Sequence, residues 1–216
     1  MYARVPVSCG GTSLDADLLV PENAPGLVIF ALGGGGERSA RRNRAVAADL
    51  AASGLATFLP DPVSGREDLD PESRSDLEHL TRHLIDLTRW SARRPETAGL
   101  SVGYYGAGAG AAVALLAAAR APEVRTVVSR SGRLELAGDA VAAVHCPVLL
   151  IAGGADDALH EIHRDALARL AGDKALQGIP GATRYFEEPG ALTAAAALAS
   201  RWFRRHLGRP ARAAGA

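Results

Sequence analysis

Five short apolar runs, separated by segments long enough to form helices, constrain the fold of this chain more than any other feature. The runs cover residues 27–32, 55–59, 100–105, 124–128 and 148–152. A continuous apolar run of this length is typical of a strand buried on both faces, and parallel strands need a long crossover connection. The pattern predicts a parallel β-sheet with helices on both faces.

The N-terminal segment has a different, alternating pattern. Val5 and Val7, then Leu14, Ala16 and Leu18, alternate with polar residues on either side of a Gly-Gly pair at 10–11. This pattern predicts an antiparallel hairpin of two edge strands.

Helices are predicted at about 41–53, 76–90, 110–121, 158–171 and 191–207. Together, these signals predict an α/β fold with a doubly wound, mostly parallel, eight-stranded sheet and an N-terminal antiparallel hairpin. We expect a single domain over residues 1–208, no lid domain and a disordered tail at 209–216. The ligand site should lie at the carboxyl ends of the strands.

Charge and cysteine content limit the classes of partner and compartment. The chain has 24 basic and 24 acidic residues, so it lacks the electrostatic attraction that nucleic acid or an anionic membrane requires. Cys9 and Cys146 are too few for a disulfide framework, and no apolar stretch resembles a signal or a membrane span. We expect a cytoplasmic protein with a small-molecule ligand and no cofactor or metal; a monomer and a homodimer both remain open.

The stretch 103–110, Gly-Tyr-Tyr-Gly-Ala-Gly-Ala-Gly, is the most informative local motif. A strand runs into a tight turn of small residues and directly into a helix, which is the layout of a nucleophile elbow. Gly106 and Gly110 occupy the two places where an elbow needs small residues. The residue between them, where a serine nucleophile is expected, is Gly108.

Several segments together resemble the dienelactone-hydrolase family of the α/β-hydrolase superfamily over nearly the whole chain. These segments are residues 31–36 with 42–44, 105–110, 128–133, 153–156 and 180–190. The resemblance implies an α/β-hydrolase fold, with the catalytic serine at position 108, the acid at Asp156 and the histidine at position 184. This chain has Gly108 and Arg184 at two of those positions. Glycine has no nucleophilic atom, and an arginine that is always charged cannot act as a general base.

Other parts of such a site are expected to persist. The resemblance implies an oxyanion hole formed by the backbone N–H groups of Gly34 and Ala109. Asp156 should now face Arg184, either as a structural ion pair or as a group that orients a substrate. Residues expected to contact the ligand are Leu32, Gly35, Arg38, Tyr105, Arg130 and His160.

Three competing interpretations of single motifs are weaker. The glycines at 106–110 also fit a dinucleotide-binding turn, but the next strand ends in Ser129-Arg130-Ser131, without the acidic residue that binds a ribose. His79 and His83 have a metal-ligand spacing but no third ligand, which favours a solvated helix face. His160 and His163 follow Asp156 and could supply a substitute base, although ordinary exposed histidines are the default expectation.

The sequence therefore favours a non-hydrolytic α/β-hydrolase-fold protein that binds an apolar small molecule. Such a protein could catalyse a cyclisation, an isomerisation or a lyase step without a covalent intermediate. One alternative is a catalytically silent binding or partner protein. The other is a residual ester or lactone hydrolase that activates water through Asp156 or His160.

Overall fold

The computed structural model describes residues 1–9, 11–33, 37–61, 70 and 73–208, without the side chains of Cys9, Thr12 and residues 37–39. The strands are β1 (Tyr2–Cys9), β2 (Thr12–Leu19), β3 (Gly26–Ala31), β4 (Ala56–Pro60), β5 (Ser101–Ala107), β6 (Val124–Arg130), β7 (Val148–Gly153) and β8 (Lys174–Ile179). The helices are α1 (Glu37–Ala52), α2 (Arg74–Ser91), α3 (Ala109–Ala118), α4 (Asp157–Arg169) and α5 (Ala191–Leu207), with a 3₁₀ segment over Leu134–Ala143.

The strands form one eight-stranded sheet in the order β1-β2-β4-β3-β5-β6-β7-β8. β1 and β2 are antiparallel, β2 and β4 are antiparallel, and all the other pairs are parallel. The predicted hairpin is confirmed, but β1 is the only one of its two strands that lies at an edge of the sheet. β2 is internal because it also pairs with β4, with Ala16 opposite Pro60.

Two apolar cores lie on opposite faces of the sheet. Helices α1 and α5 pack on one face, and α2, α3 and α4 pack on the other. Successive residues of a strand point to opposite faces, so Tyr104 enters the core beneath α2 and α3, and Tyr105 enters the core beneath α1 and α5. The sheet is therefore doubly wound, as the apolar runs predict.

One helix departs from its predicted pattern of burial. His83 of α2 is only 5% exposed, so it does not lie on a solvated face. α2 is buried over a wider arc than its leucine stripe, because Thr81 and Thr88 also face inward and bind the carbonyls of Leu77 and Leu84 with their hydroxyls. Burial lowers the pKa of His83, which favours its neutral form.

In the described residues, no helix has both the length and the apolar character needed to cross a bilayer. Residues 209–216, predicted to be a disordered tail, lie outside the described residues.

Candidate functional site

Gly108 forms the sharp turn between β5 and α3. Its backbone angles are φ +56° and ψ −128°, a conformation that residues with a side chain rarely adopt. A Cβ atom built at this position would meet no atom of the described residues within 4 Å. A side chain at position 108 would therefore project into open space at the carboxyl end of the sheet, as the nucleophile of an elbow does.

The flanking glycines make this turn possible. A Cβ on Gly106 would lie 2.4 Å from the carbonyl oxygen of Gly110, and one on Gly110 would lie 2.6 Å from the carbonyl oxygen of Ala31. These distances are shorter than any real contact of a Cβ atom. The small residues predicted at both places are therefore a steric requirement of the turn.

Three backbone hydrogen bonds fix Gly108. Its N–H donates to the carbonyl of Arg130 at 3.3 Å, and its carbonyl accepts from the N–H groups of Ala111 at 3.1 Å and Arg133 at 3.0 Å. None of these bonds uses a side chain, so no side chain at position 108 is needed to form them.

The candidate oxyanion site is described in part. Ala109 is the first residue of α3, and its N–H has no acceptor within the helix. Gly33 packs against the start of α3, since a Cβ on Gly33 would lie 2.2 Å from the nitrogen of Gly110. Gly34, Gly35 and the side chain of Arg38 lie outside the described residues. Leu32 is partly buried against the core beneath α2 and α3.

Asp156 and Arg184 form the predicted ion pair. The Arg184 Nε donates to Oδ2 of Asp156 at 2.5 Å, and its Nη2 donates to Oδ1 at 3.0 Å. Asp156 also caps α4, since its Oδ1 accepts from the N–H of Leu159 at 3.0 Å. The loop after β7 and the loop after β8 are thereby joined.

These contacts determine the protonation states of the pair. The hydrogen bond from Arg184 lowers the pKa of Asp156, with a further lowering from the Leu159 N–H, and Asp156 in turn raises the pKa of Arg184. Asp156 therefore stays ionised and Arg184 stays charged. Arg184 cannot take up a proton, and the lowered pKa makes Asp156 a weaker base than an ordinary carboxylate.

Two further predicted site residues lie next to the elbow. Tyr105 is 1% exposed, and its ring packs 4.8 Å from that of Phe30. Arg130 ends β6 opposite Ala107 and is 4% exposed. The hydroxyl of Tyr105 lies near the Arg130 guanidinium but makes no well-aligned hydrogen bond with it.

The two histidines that follow Asp156 differ in environment. His160 is partly buried, its N–H donates to the Asp156 carbonyl, and its ring lies beside Gly178 of β8. His163 is fully buried, contrary to the expectation of an ordinary exposed histidine, and its Nδ1 lies 2.7 Å from the Leu159 carbonyl. Burial lowers the pKa of His163.

Two backbone features near the site have no clear signal in the sequence. Ser131 and Phe186 have φ angles of +44° and +55°, which only glycine adopts easily. Phe186 lies two residues after Arg184, and its ring centroid is 5.5 Å from the guanidinium carbon of Arg130. An aromatic residue in a loop gives no indication that it covers a buried arginine.

Two concave surfaces in the described part of the chain lie away from Gly108. One, of about 460 Å³, lies between the N-terminus and α1 and is lined by Met1, Tyr2, Leu19, Pro21, Ala48, Ala51 and Ala52. The other, of about 290 Å³, lies between the 3₁₀ segment and α4. Among the described residues, no group of three histidine, cysteine, aspartate or glutamate side chains is placed to hold a metal ion.

Residues 14–178 match the sequence pattern of the dienelactone hydrolase family. The chain belongs to this family. A dienelactone hydrolase from Anabaena variabilis, known from a crystal structure, is 44% identical, with a TM-score of 0.89 over 96% of this chain and 98% of that one. Est1E from Butyrivibrio proteoclasticus shares the fold at 18% identity, with a TM-score of 0.76 over 94% of this chain and 98% of its own.

A longer protein from Mycobacterium tuberculosis is also related to this chain. Rv0571c, which has the provisional name of a phosphoribosyl transferase, is 45% identical over 205 residues. The match covers 94% of this chain but 46% of Rv0571c. The chain thus spans about half the length of the curated relatives it matches.

Proposed function

We propose that this chain is a non-hydrolytic member of the dienelactone hydrolase family. It binds an apolar small molecule over Gly108 and converts it by cyclisation, isomerisation or a lyase step, without a covalent intermediate. The observation that carries the proposal is the elbow itself: its backbone is built for a nucleophile, and position 108 has no side chain.

The Asp156–Arg184 pair supports the same proposal. A hydrolytic triad needs a neutral base between its acid and its nucleophile, and the carboxylate of Asp156 instead binds a permanent cation through two hydrogen bonds. In our proposal, catalysis without an acyl intermediate depends on two effects. The site positions the bound molecule, and the N–H of Ala109 at the N-terminus of α3 polarises a carbonyl group of that molecule.

The test is a panel of activated esters and lactones, assayed on the wild type and on the double variant Gly108→Ser/Arg184→His. We expect no turnover by the wild type and measurable hydrolysis by the double variant. Two matched controls separate the role of the nucleophile from that of the base. Gly108→Ser alone lacks a base, and Gly108→Ala/Arg184→His lacks a nucleophile. Both controls should stay inactive, and a fluorophosphonate probe should label only the double variant.

Other results would support the alternatives. Turnover by the wild type that is lost in Asp156→Asn would overturn the proposal in favour of water activation at Asp156. Saturable binding of apolar compounds without any product by mass spectrometry would favour a silent binding protein. We do not assign phosphoribosyl transfer to this chain, because the relative with that name is about twice as long.

A further inference from the structure

Arg130 carries a positive charge that the described part of the protein leaves without a counter-ion. It is 4% exposed, yet its side chain forms no ion pair or hydrogen bond with any described residue, and its Nε is buried without an acceptor. Arginine does not lose its charge at any ordinary pH, and buried charges are otherwise paired in proteins. The uncompensated charge therefore calls for an anion from outside the described chain.

The immediate surroundings of Arg130 are polar but neutral. The ring of Phe186 lies over its guanidinium, which offsets part of the cost of burial through a cation–π contact. The Tyr105 hydroxyl, close to the guanidinium, and the Ser131 hydroxyl, on the next residue, are both buried without hydrogen-bond partners. These hydroxyls can donate to an oxygen atom, but neither can neutralise a cation.

Arg130 lies where a ligand of this fold is expected. It ends β6, and its carbonyl accepts the hydrogen bond from the N–H of Gly108. Phe186, which covers it, belongs to the same turn as Arg184, since the Phe186 N–H donates to the Thr183 carbonyl. Arg184 is already paired with Asp156. Arg130 is thus the unpaired cation of this group, one strand away from the elbow.

We propose that Arg130 is the binding site for an oxyanion, a carboxylate or a phosphate, on the molecule that occupies the space over Gly108. The ligand then combines an apolar body with an anionic group, which the guanidinium binds through two parallel hydrogen bonds. The statement about the apolar body rests on the proposed function. The statement about the anion rests on Arg130 alone, so the two can fail separately.

The experiment measures anion binding by thermal shift and calorimetry at constant ionic strength. The probes are inorganic phosphate, acetate, and the pair benzoate and benzamide, which share an aromatic body and differ in charge. We expect saturable stabilisation by an anion, with benzoate binding about tenfold more tightly than benzamide, as a charge-assisted hydrogen bond provides. Arg130→Gln should abolish this preference. Arg125→Gln, on the exposed end of the same strand, should retain it.

The outcomes separate the two proposals. Benzamide binding without any preference for benzoate would overturn the anion site and leave the apolar site standing. An effect of phosphate or acetate alone, lost in Arg130→Gln, supports the anion site even if neither aromatic probe binds. If no anion stabilises the wild type, or if Arg130→Gln leaves anion binding unchanged, the proposal is wrong.

A second measurement needs no ligand. Arg130→Met keeps most of the side-chain volume and removes the unpaired charge, so it should raise the Tm of the anion-free protein. Arg130→Lys keeps the charge without the planar fork and should weaken anion binding about tenfold. A fall in Tm for Arg130→Met would show that the protein itself compensates the charge, which contradicts the proposal.

Discussion

Arg184 binds Asp156 through two parallel hydrogen bonds, from Nε to Oδ2 at 2.5 Å and from Nη2 to Oδ1 at 3.0 Å. With the N–H of Leu159 added, the carboxylate accepts three hydrogen bonds. In the triad of a serine hydrolase, an acidic side chain orients a histidine that exchanges protons. The hydrogen bonds of Asp156 instead join the loop after β7 to the loop after β8.

The charge of this pair gives a pH-dependent contribution to stability. Asp156→Asn keeps the cap on α4 but loses the ion pair, so we expect a loss of up to about 1 kcal/mol at neutral pH, since Arg184 is half exposed. The pKa of Asp156 is lowered in the folded state, so its contribution is complete above the unfolded-state pKa of about 4 and is lost as the pH falls through the lower folded-state value.

Urea unfolding at neutral and at acidic pH checks this expectation. The difference between wild type and Asp156→Asn should be constant at neutral pH and close under acidic conditions. Glu187→Gln, which removes an exposed ion pair with Arg42, is the control and should have little effect. A difference that grows on acidification would contradict the assigned sign.

The glycines of the elbow should respond differently to alanine. Gly106→Ala places a methyl group 2.4 Å from a carbonyl oxygen and should cost on the order of 3 kcal/mol. The methyl group of Gly108→Ala would contact none of the residues that the structure describes, so this variant should cost only the strain of a positive φ, about 1–2 kcal/mol. Urea unfolding measures both losses, and a larger loss at position 108 would refute the steric argument.

Tyr104 and Tyr105 provide a second matched pair. The Tyr104 hydroxyl lies 2.7 Å from the Thr88 hydroxyl, whereas the Tyr105 hydroxyl is buried without a partner. Tyr104→Phe should destabilise the protein by about 1 kcal/mol, since it removes a buried hydrogen bond. Tyr105→Phe should be neutral or stabilising in anion-free buffer. Thermal unfolding of both variants tests the contrast, and equal losses would argue against it.

Cys146 should be a slow nucleophile. Burial raises the pKa of its thiol to about 11, so very little thiolate is present at pH 8. In a Cys9→Ser variant, iodoacetamide should modify the native protein on the order of 100-fold more slowly than an ordinary cysteine. Unfolding in urea should restore the normal rate. Rapid alkylation of Cys146 in the native protein, measured by mass spectrometry, would show that its thiol is not held in a buried environment.

Much of the fold follows from residue patterns alone. The five apolar runs correspond to β3, β4, β5, β6 and β7, because strands buried on both faces need apolar residues throughout. β8 had no such run, since it is an exposed edge strand with polar residues. The prediction that β2 is an edge strand was wrong for a related reason. Alternation of apolar and polar residues reveals that one face of a strand is buried, but it does not reveal whether both edges of the strand are paired.

The site was less predictable than the fold. The glycine pattern at 106–110 specified the elbow because close approaches of the backbone leave no other choice of residue. The burial of His163 and the cover that Phe186 provides over Arg130 depend on loops far apart in the sequence. No local pattern encodes such contacts. That no described residue supplies a counter-ion to Arg130 becomes visible only once its neighbours are in place.

The backbone hydrogen bonds around Gly108 make this turn an attachment point for protein engineering. They link the turn to Arg130, Ala111 and Arg133 without any side chain, and no described residue fills the space above the α-carbon of Gly108. A cysteine introduced at position 108 could be alkylated with a synthetic catalyst. The catalyst would then lie at the end of β5, near the positive end of the α3 dipole. The protein could then host reactions unrelated to those of its family, because the hydrogen bonds that hold this turn involve no side chain.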